Sequence, residues 1–278
     1  MRIAQNSPPF LRVCGLTKHY VRRSGLWRKR IAIAAVRGVD FEIAAGKTLA
    51  LVGSSGSGKS TVARCVARLE RPDAGQICVG GTDVARFGNR DLRGFRSEIQ
   101  MIFQDAAISM NPRFSAAQII EEPLLIQRRG SKQERRRRAQ ELMSEVGLLL
   151  NSAERPVMEF SGGQRQRLAV ARALALEPKL LVLDEALAGL DLSTEAQIIN
   201  LLLELQTAHS LSYLFISHDL PLVARLADSI AVISAGRIVE QGPTSQVVSS
   251  PRHPETKALL ASATAFQKTY ADMLGVSG

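Results

Sequence analysis

Gly53-Ser54-Ser55-Gly56-Ser57-Gly58-Lys59-Ser60-Thr61 follows the spacing G-x-x-x-x-G-K-[ST] of a phosphate-binding loop. Glycines let the backbone curl until successive N–H groups point inward at phosphate oxygens. Lys59 then brings a compact cation to the β- and γ-phosphates of a nucleotide, and the Ser60 hydroxyl suits a Mg²⁺ ligand. A second small-residue signal, Phe160-Ser161-Gly162-Gly163-Gln164, precedes an apolar run that ends in two acids, Leu180-Leu181-Val182-Leu183-Asp184-Glu185. Small residues and N–H groups at a helix N-terminus suit an anion. Ser161 is equally a good N-cap for an ordinary helix, and these residues alone leave both readings open. At a strand end, Asp184 can hold Mg²⁺ through water while Glu185 polarises an attacking water.

Strands and helices must position these groups. The apolar run Thr48–Val52 predicts a buried strand feeding the phosphate loop. Residues Thr61–Leu69, with Val62, Val66 and Leu69 near one face, predict a helix whose N-terminus turns a partial positive charge toward the phosphates. Leu11–Cys14, Ile31–Val36, Asp40–Ile43 and Gln76–Val79 predict strands of an antiparallel layer, with a turn at Ala45-Gly46. Glu98–Gln104 reads as a strand ending at a glutamine. After the helix breaker Asn111-Pro112, helical sequence runs from about Ser115 to Leu150, interrupted at Pro123 and Gly130, as an inserted subdomain. A helical stretch Arg165–Leu176 ends at Pro178. Strands at 180–183, 212–216 and 229–233 then alternate with helices at 194–209 and 220–227, the pattern of a mainly parallel α/β sheet.

The 278 residues, 45% hydrophobic and 5% aromatic, fit one large domain or a domain with a subdomain. No apolar run approaches the roughly eighteen residues of a membrane span. Residues 1–10 lack the apolar core of a secretory signal, so the chain is expected in the cytosol. Cys14, Cys65 and Cys78 show no metal-ligand spacing, and Cys65 and Cys78 sit in apolar stretches as core thiols. The net charge of +10 admits nucleic acid or anionic lipid as a partner. Much of it lies in two runs, Arg22, Arg23, Arg28, Lys29, Arg30 and Arg128, Arg129, Lys132, Arg135–Arg138, read as a solvated loop and a solvated helix face.

In this order, the residues resemble the ATP-binding cassette (ABC) ATPases. Phe160–Gln164 is similar to the family's LSGGQ signature. Gln104 matches the Q-loop glutamine, Asp191 the D-loop aspartate, and His218 within Ile216-Ser217-His218-Asp219 the switch histidine. Tyr20 matches the aromatic that stacks on adenine, with Trp27 as a rival. The resemblance spans about residues 11–245. It implies an α/β fold, a P-loop NTPase (RecA-like) core with an antiparallel β-layer and an inserted α-helical subdomain. The cassette would occupy 11–250, the helical subdomain about 105–160, and a tail 251–278.

The resemblance also implies roles. ATP would lie between two subunits in a head-to-tail dimer, with Lys59 of one and Ser161 and Gly163 of the other at the γ-phosphate. The nucleotide-binding set is Tyr20, Gly53, Ser54, Ser55, Gly56, Ser57, Gly58, Lys59, Ser60, Thr61, Ser161, Gly162, Gly163, Gln164 and Asp191. Glu185 would be the base, His218 would hold the γ-phosphate and water, and Lys59 and Gln104 complete the catalytic set. Mg²⁺ would be held by Ser60, Gln104 and Asp184.

One phosphate loop, one signature and no fused membrane span favour a separate transporter ATPase over a soluble ABC ATPase acting on nucleic acid. Phe103-Gln104-Asp105 with Ser109-Met110-Asn111-Pro112-Arg113, Glu159–Arg167, and the tail Ser250-Pro251-Arg252-His253-Pro254-Glu255-Thr256-Lys257-Ala258-Leu259-Leu260 resemble the dipeptide, oligopeptide and nickel importer group. That group implies two permeases, a second ATPase subunit, an extracytoplasmic solute-binding protein and a peripheral place on the cytoplasmic side of the inner membrane. Nucleic acid is not expected as a partner. The expected solute is a di- or oligopeptide, with nickel or another solute as the alternative. No cysteine follows Cys78, which excludes a C-terminal iron–sulfur cluster. Ala106 and Ala186 stand where proline is common, Pro156-Val157-Met158 replaces Tyr-Pro-His, and Gly189 leaves the contact of Asp191 across the dimer open.

Overall fold

The computed structural model describes residues 9–24, 29–104 and 109–262. Trp27, Asp105, Ala106 and the tail beyond Ser262 lie outside the described residues. The chain forms two compact units, one from residues up to Arg86 and from Leu214 onward, the other from Phe87–Tyr213.

The first unit begins with β1 (Leu11–Ser24), β2 (Lys29–Ile43), β3 (Thr48–Val52), α1 (Lys59–Val66), β4 (Ala74–Val79) and β5 (Thr82–Asp83). An antiparallel sheet has the order β2-β1-β4-β5. Sequence suggested two short strands at 31–36 and 40–43, whereas β2 is one strand, paired with β1 from Leu11↔Ile43 to Ser24↔Lys29. Its break point is absorbed as register shifts near Leu16 and Thr17. Side chains satisfy amides there: Gly15 N donates to Asp40 Oδ1 at 2.7 Å, and Gly38 N to Thr17 Oγ1 at 3.2 Å. Leu11, Val13, Leu16, Val36, Val39, Phe41 and Ile43 supply the buried face.

The second unit holds α2 (Asn89–Glu98), β6 (Ile99–Ile102), α3 (Ala116–Ile126), α4 (Lys132–Glu145), α5 (Gly162–Leu174), β7 (Leu180–Asp184) and α6 (Leu192–His209). β6 and β7 pair in parallel, Ile99↔Leu180 to Ile102↔Leu183. Ile119, Ile120, Leu142, Met143, Leu168 and Val170 are fully buried among its helices. Pro123 does not interrupt α3 but sits inside it. Proline there forgoes one backbone donor, and the buried side chains of Ile119, Ile120 and Leu124 hold the helix around it. Gly130 does separate α3 from α4, with φ +69°. Helix α2 carries little periodic apolar signal, because its sequence NRDLRGFRSE is mostly polar and only Leu92 and Phe95 supply buried apolar side chains.

The chain passes back into the first unit within β8 (Ser212–Ser217), followed by α7 (Leu220–Leu226), β9 (Ser229–Ser234), β10 (Arg237–Pro243) and α8 (Thr244–Ser249). β9 lies parallel to β3 and antiparallel to β10. All five residues of β3 are buried, as the apolar run required. Among the described residues, no helix is long and apolar enough to cross a membrane.

Candidate nucleotide site

In the first unit, β3 delivers the chain into the glycine-rich loop. A Cβ on Gly53 would lie 2.2 Å from the Ile233 carbonyl oxygen, so the loop can pass β9 only as glycine. Gly58 has φ +110°, and a Cβ there would meet the Ala35 carbonyl oxygen at 2.4 Å. That residue is the N-cap of α1, and the helix start receives no side-chain cap. The helix therefore begins at Lys59, two residues before the expected Thr61, which puts Lys59 and Ser60 in its first turn. It also ends earlier: Arg68 turns left-handed at φ +52°, and Leu69 lies beyond the helix, exposed rather than on a buried face. Lys59 is 4% exposed, with Nζ donating to the carbonyls of Gly53 at 2.8 Å and Ser54 at 2.9 Å. The Ser57 hydroxyl is buried with no partner. A buried cation and an orphaned hydroxyl in one backbone curl make a cradle whose polar groups suit an anion. Sequence missed its brace, where Gly236 N donates to Ser57 O at 2.9 Å.

Tyr20 lies beside this helix. Its hydroxyl donates to Glu70 Oε2 and lies 3.4 Å from Thr61 Oγ1, in the first turn of α1. Burial first, then the Glu70 carboxylate, pushes the phenol above its usual range and keeps the proton in place. His218, also in this unit, is exposed just past β8. Its turn is fixed by Ser217 Oγ accepting from Asp219 N at 2.9 Å and Asp219 Oδ1 accepting from Leu222 N at 3.0 Å.

In the second unit, β7 ends in Asp184, 6% exposed, followed by half-buried Glu185. Glu185 has φ +50°, an uncommon conformation for a side chain of this kind. Gln104 is exposed two residues past β6, which ends at Ile102 rather than at the glutamine. Helix α5 starts at Gly162, not at Arg165, because Ser161 and Gln164 cap it reciprocally. Ser161 Oγ accepts from Gln164 N at 3.3 Å, and Gln164 Oε1 accepts from Ser161 N at 3.0 Å.

The signature and Asp191 come together. Asp191 caps α6, accepting from Thr194 N at 2.9 Å and from Thr194 Oγ1 at 2.6 Å. The Thr194 side chain and backbone hold the carboxyl below its usual range. A Cβ on Gly163 would lie 2.5 Å from the same Thr194 side chain, so the close approach of α5 and α6 calls for glycine there. Gly189, between Glu185 and Asp191, has φ +80°. Arg172, which sequence reasoning missed, ties α5 to Glu122 at 2.7 Å and to the Ser109 carbonyl at 2.9 Å.

The basic run on α4 is not simply solvated. Arg136 pairs with Glu121 at 3.2 Å and with Glu154, Arg137 with Glu141 at 3.5 Å, and Arg138 with Glu141 at 3.5 Å and Glu177 at 3.9 Å. Cys65 is buried and its thiol pushed up to about 12 by that burial, while Cys78 is only partly buried, against the expectation of two core thiols. In the tail, Glu240 accepts from the amides of Arg252 and His253, both at 2.9 Å, and from Thr256 Oγ1 at 2.5 Å.

The family model described as ABC transporter matches residues 36–188. A probable peptide ABC transporter ATP-binding protein of Sinorhizobium fredii is 45% identical over 258 residues, covering 92% of this chain and 73% of that protein. The dipeptide transport ATP-binding protein DppF of Escherichia coli is 43% identical over 253 residues, covering 91% and 76%. Among solved structures, the dimeric post-hydrolysis state of the ATP-binding cassette MJ0796 with ADP and Pi aligns at a TM-score of 0.74 and 28% identity, over 84% of this chain and 98% of that one. CbiO1 of Clostridium perfringens, part of the transporter complex CbiONQ, aligns at 0.75 and 25% identity, over 88% and 92%. The expected α/β cassette fold is thereby borne out, and the chain belongs to the ABC transporter family as an ATP-binding, ATP-hydrolysing protein.

Proposed function

We propose that this chain is the ATPase subunit of an importer for di- or oligopeptides. The observation that carries the reading is the 43–45% identity, over nine-tenths of the chain, to ATP-binding proteins named for peptide and dipeptide transport. In this reading it sits peripherally on the cytoplasmic side of the inner membrane, against two permeases, with a second ATPase subunit and an extracytoplasmic binding protein in the complex.

ATP would enter the cradle of Gly53–Thr61, with Lys59 turned to the β- and γ-phosphates and Tyr20 against adenine. By the family resemblance Ser60, Gln104 and Asp184 would hold Mg²⁺, and each carries the kind of oxygen donor that this hard cation takes. When bound, Mg²⁺ supplies charge neutralisation across the phosphates. Glu185 would orient and deprotonate the attacking water, and His218 would hold the γ-phosphate. Ser161 and Gly163 would serve the ATP of the partner ATPase. A hydroxyl that accepts one hydrogen bond still has its own proton to donate. Closure of the dimer on ATP and reopening after hydrolysis then follow from binding one of two states more tightly.

The test is reconstitution with the permeases that co-purify. Peptide-stimulated ATP hydrolysis is the expected result; stimulation by nickel and not by peptides would overturn the solute. Salt-dependent DNA binding by the pure protein, without membrane partners, would favour the nucleic-acid alternative.

A further inference from the structure

The Tyr20 ring is held at its edge by Glu70 and Thr61 and over its face by Lys18, and of these Glu70 and Lys18 lie outside the phosphate-loop motif. Its hydroxyl donates to Glu70 Oε2, which leaves its oxygen able to accept from Thr61 Oγ1, 3.4 Å away. The other carboxylate oxygen, Glu70 Oε1, faces Arg64 Nη1 at 3.6 Å, so Glu70 is itself held from α1. Lys18 Nζ lies 5.8 Å from the ring centroid. It is fixed in turn by the Arg71 carbonyl at 2.8 Å and by Asp73 Oδ1 at 3.4 Å. A tyrosine that is 37% exposed would otherwise spread over several side-chain rotamers and lose that freedom on binding. Here the ring is already ordered, and its anchor Thr61 stands two residues from Lys59 in the same helical turn.

We propose that Glu70 is a positioning residue for the nucleotide base: it fixes the Tyr20 ring in the orientation that stacks on adenine and couples that ring to the helix that binds the phosphates. The proposal rests on the assignment of Tyr20 to the base. Glu70 itself does not touch the nucleotide; it acts through the phenol. Its effect should therefore fall on ligands that carry a base and spare those that carry only phosphates.

Calorimetric titration of the full chain with ATP and with inorganic tripolyphosphate separates the two. Glu70→Ala is expected to weaken ATP about five- to tenfold, the range for ordering one side chain on binding, and to leave tripolyphosphate affinity unchanged. Glu70→Gln, whose amide oxygen still accepts from the phenol, should restore most of the ATP affinity. Tyr20→Phe should reproduce the Glu70→Ala loss, and the double variant should lose no more than either single one. Equal weakening of ATP and tripolyphosphate in Glu70→Ala would make Glu70 a structural residue and overturn the proposal. So would unchanged ATP affinity in Glu70→Ala when Tyr20→Ala weakens ATP. Unchanged ATP affinity in Tyr20→Ala would instead overturn the assignment of Tyr20, and the proposal with it.

Discussion

Helices α1 and α5 both begin at serine- and glycine-rich turns, yet their first turns are completed in opposite ways. At α1 the N-cap is left-handed Gly58 and no side chain caps the helix. At α5 the cap is Ser161, which exchanges hydrogen bonds with Gln164. A helix start without a side-chain cap presents its N–H groups and positive dipole end to a ligand. At the self-capped start Ser161 and Gln164 satisfy each other, which fixes the turn within one chain and leaves it less to offer an anion than the uncapped start. The difference fits a cradle that binds ATP by itself and a signature that acts on the ATP of a partner.

The largest expected effect concerns hydrolysis. Glu185→Gln should retain ATP binding while turnover falls about 10²–10⁴-fold, the usual worth of a general base; undiminished phosphate release would remove Glu185 from that role. Next come the two glycines. Gly58→Ala should destabilise the fold by at least about 2 kcal/mol, because a left-handed backbone and the Ala35 carbonyl both oppose a Cβ. Gly162→Ala should stay within about 0.5 kcal/mol of wild type, since its Cβ would meet only Leu190 Cδ2 at 3.9 Å. Equal losses in chemical denaturation would erase the contrast between the two turns. Ser161→Ala should lower stability by about 1 kcal/mol through loss of its cap.

The smallest effect is a pH dependence at Asp191. Its carboxyl is lowered in the folded chain by Thr194, so its contribution is fully present above the unfolded value near about 3.9. It is lost as pH falls through the lower folded value. Wild type and Asp191→Ala should therefore converge in stability in acid; a constant gap across that window would contradict the assignment.

Much of this was legible in the sequence. Thr48–Val52 and Leu180–Leu183 read as buried strands because uninterrupted apolar runs suit strands covered on both faces. The exact starts of α1 and α5 were not legible. At Gly58 the start depends on a φ of +110°, and at Ser161 on a capping exchange that competes with the anion-binding reading of the same letters. Glu70, Gly236 and Glu240 carried no motif at all. They reach Tyr20, Ser57 and the tail across gaps of chain that only the folded backbone closes.

The most direct measurement is ATP titration of the isolated protein, at concentrations where it stays monomeric, for Lys59→Ala and Ser161→Ala side by side. If the two glycine-rich motifs serve different ATP molecules, Lys59→Ala loses about 100-fold or more in affinity, as removal of a charge-assisted phosphate contact requires, and Ser161→Ala binds as wild type. A comparable loss in both variants would mean that both motifs of one chain grip the same nucleotide, and the division between cradle and signature would be wrong.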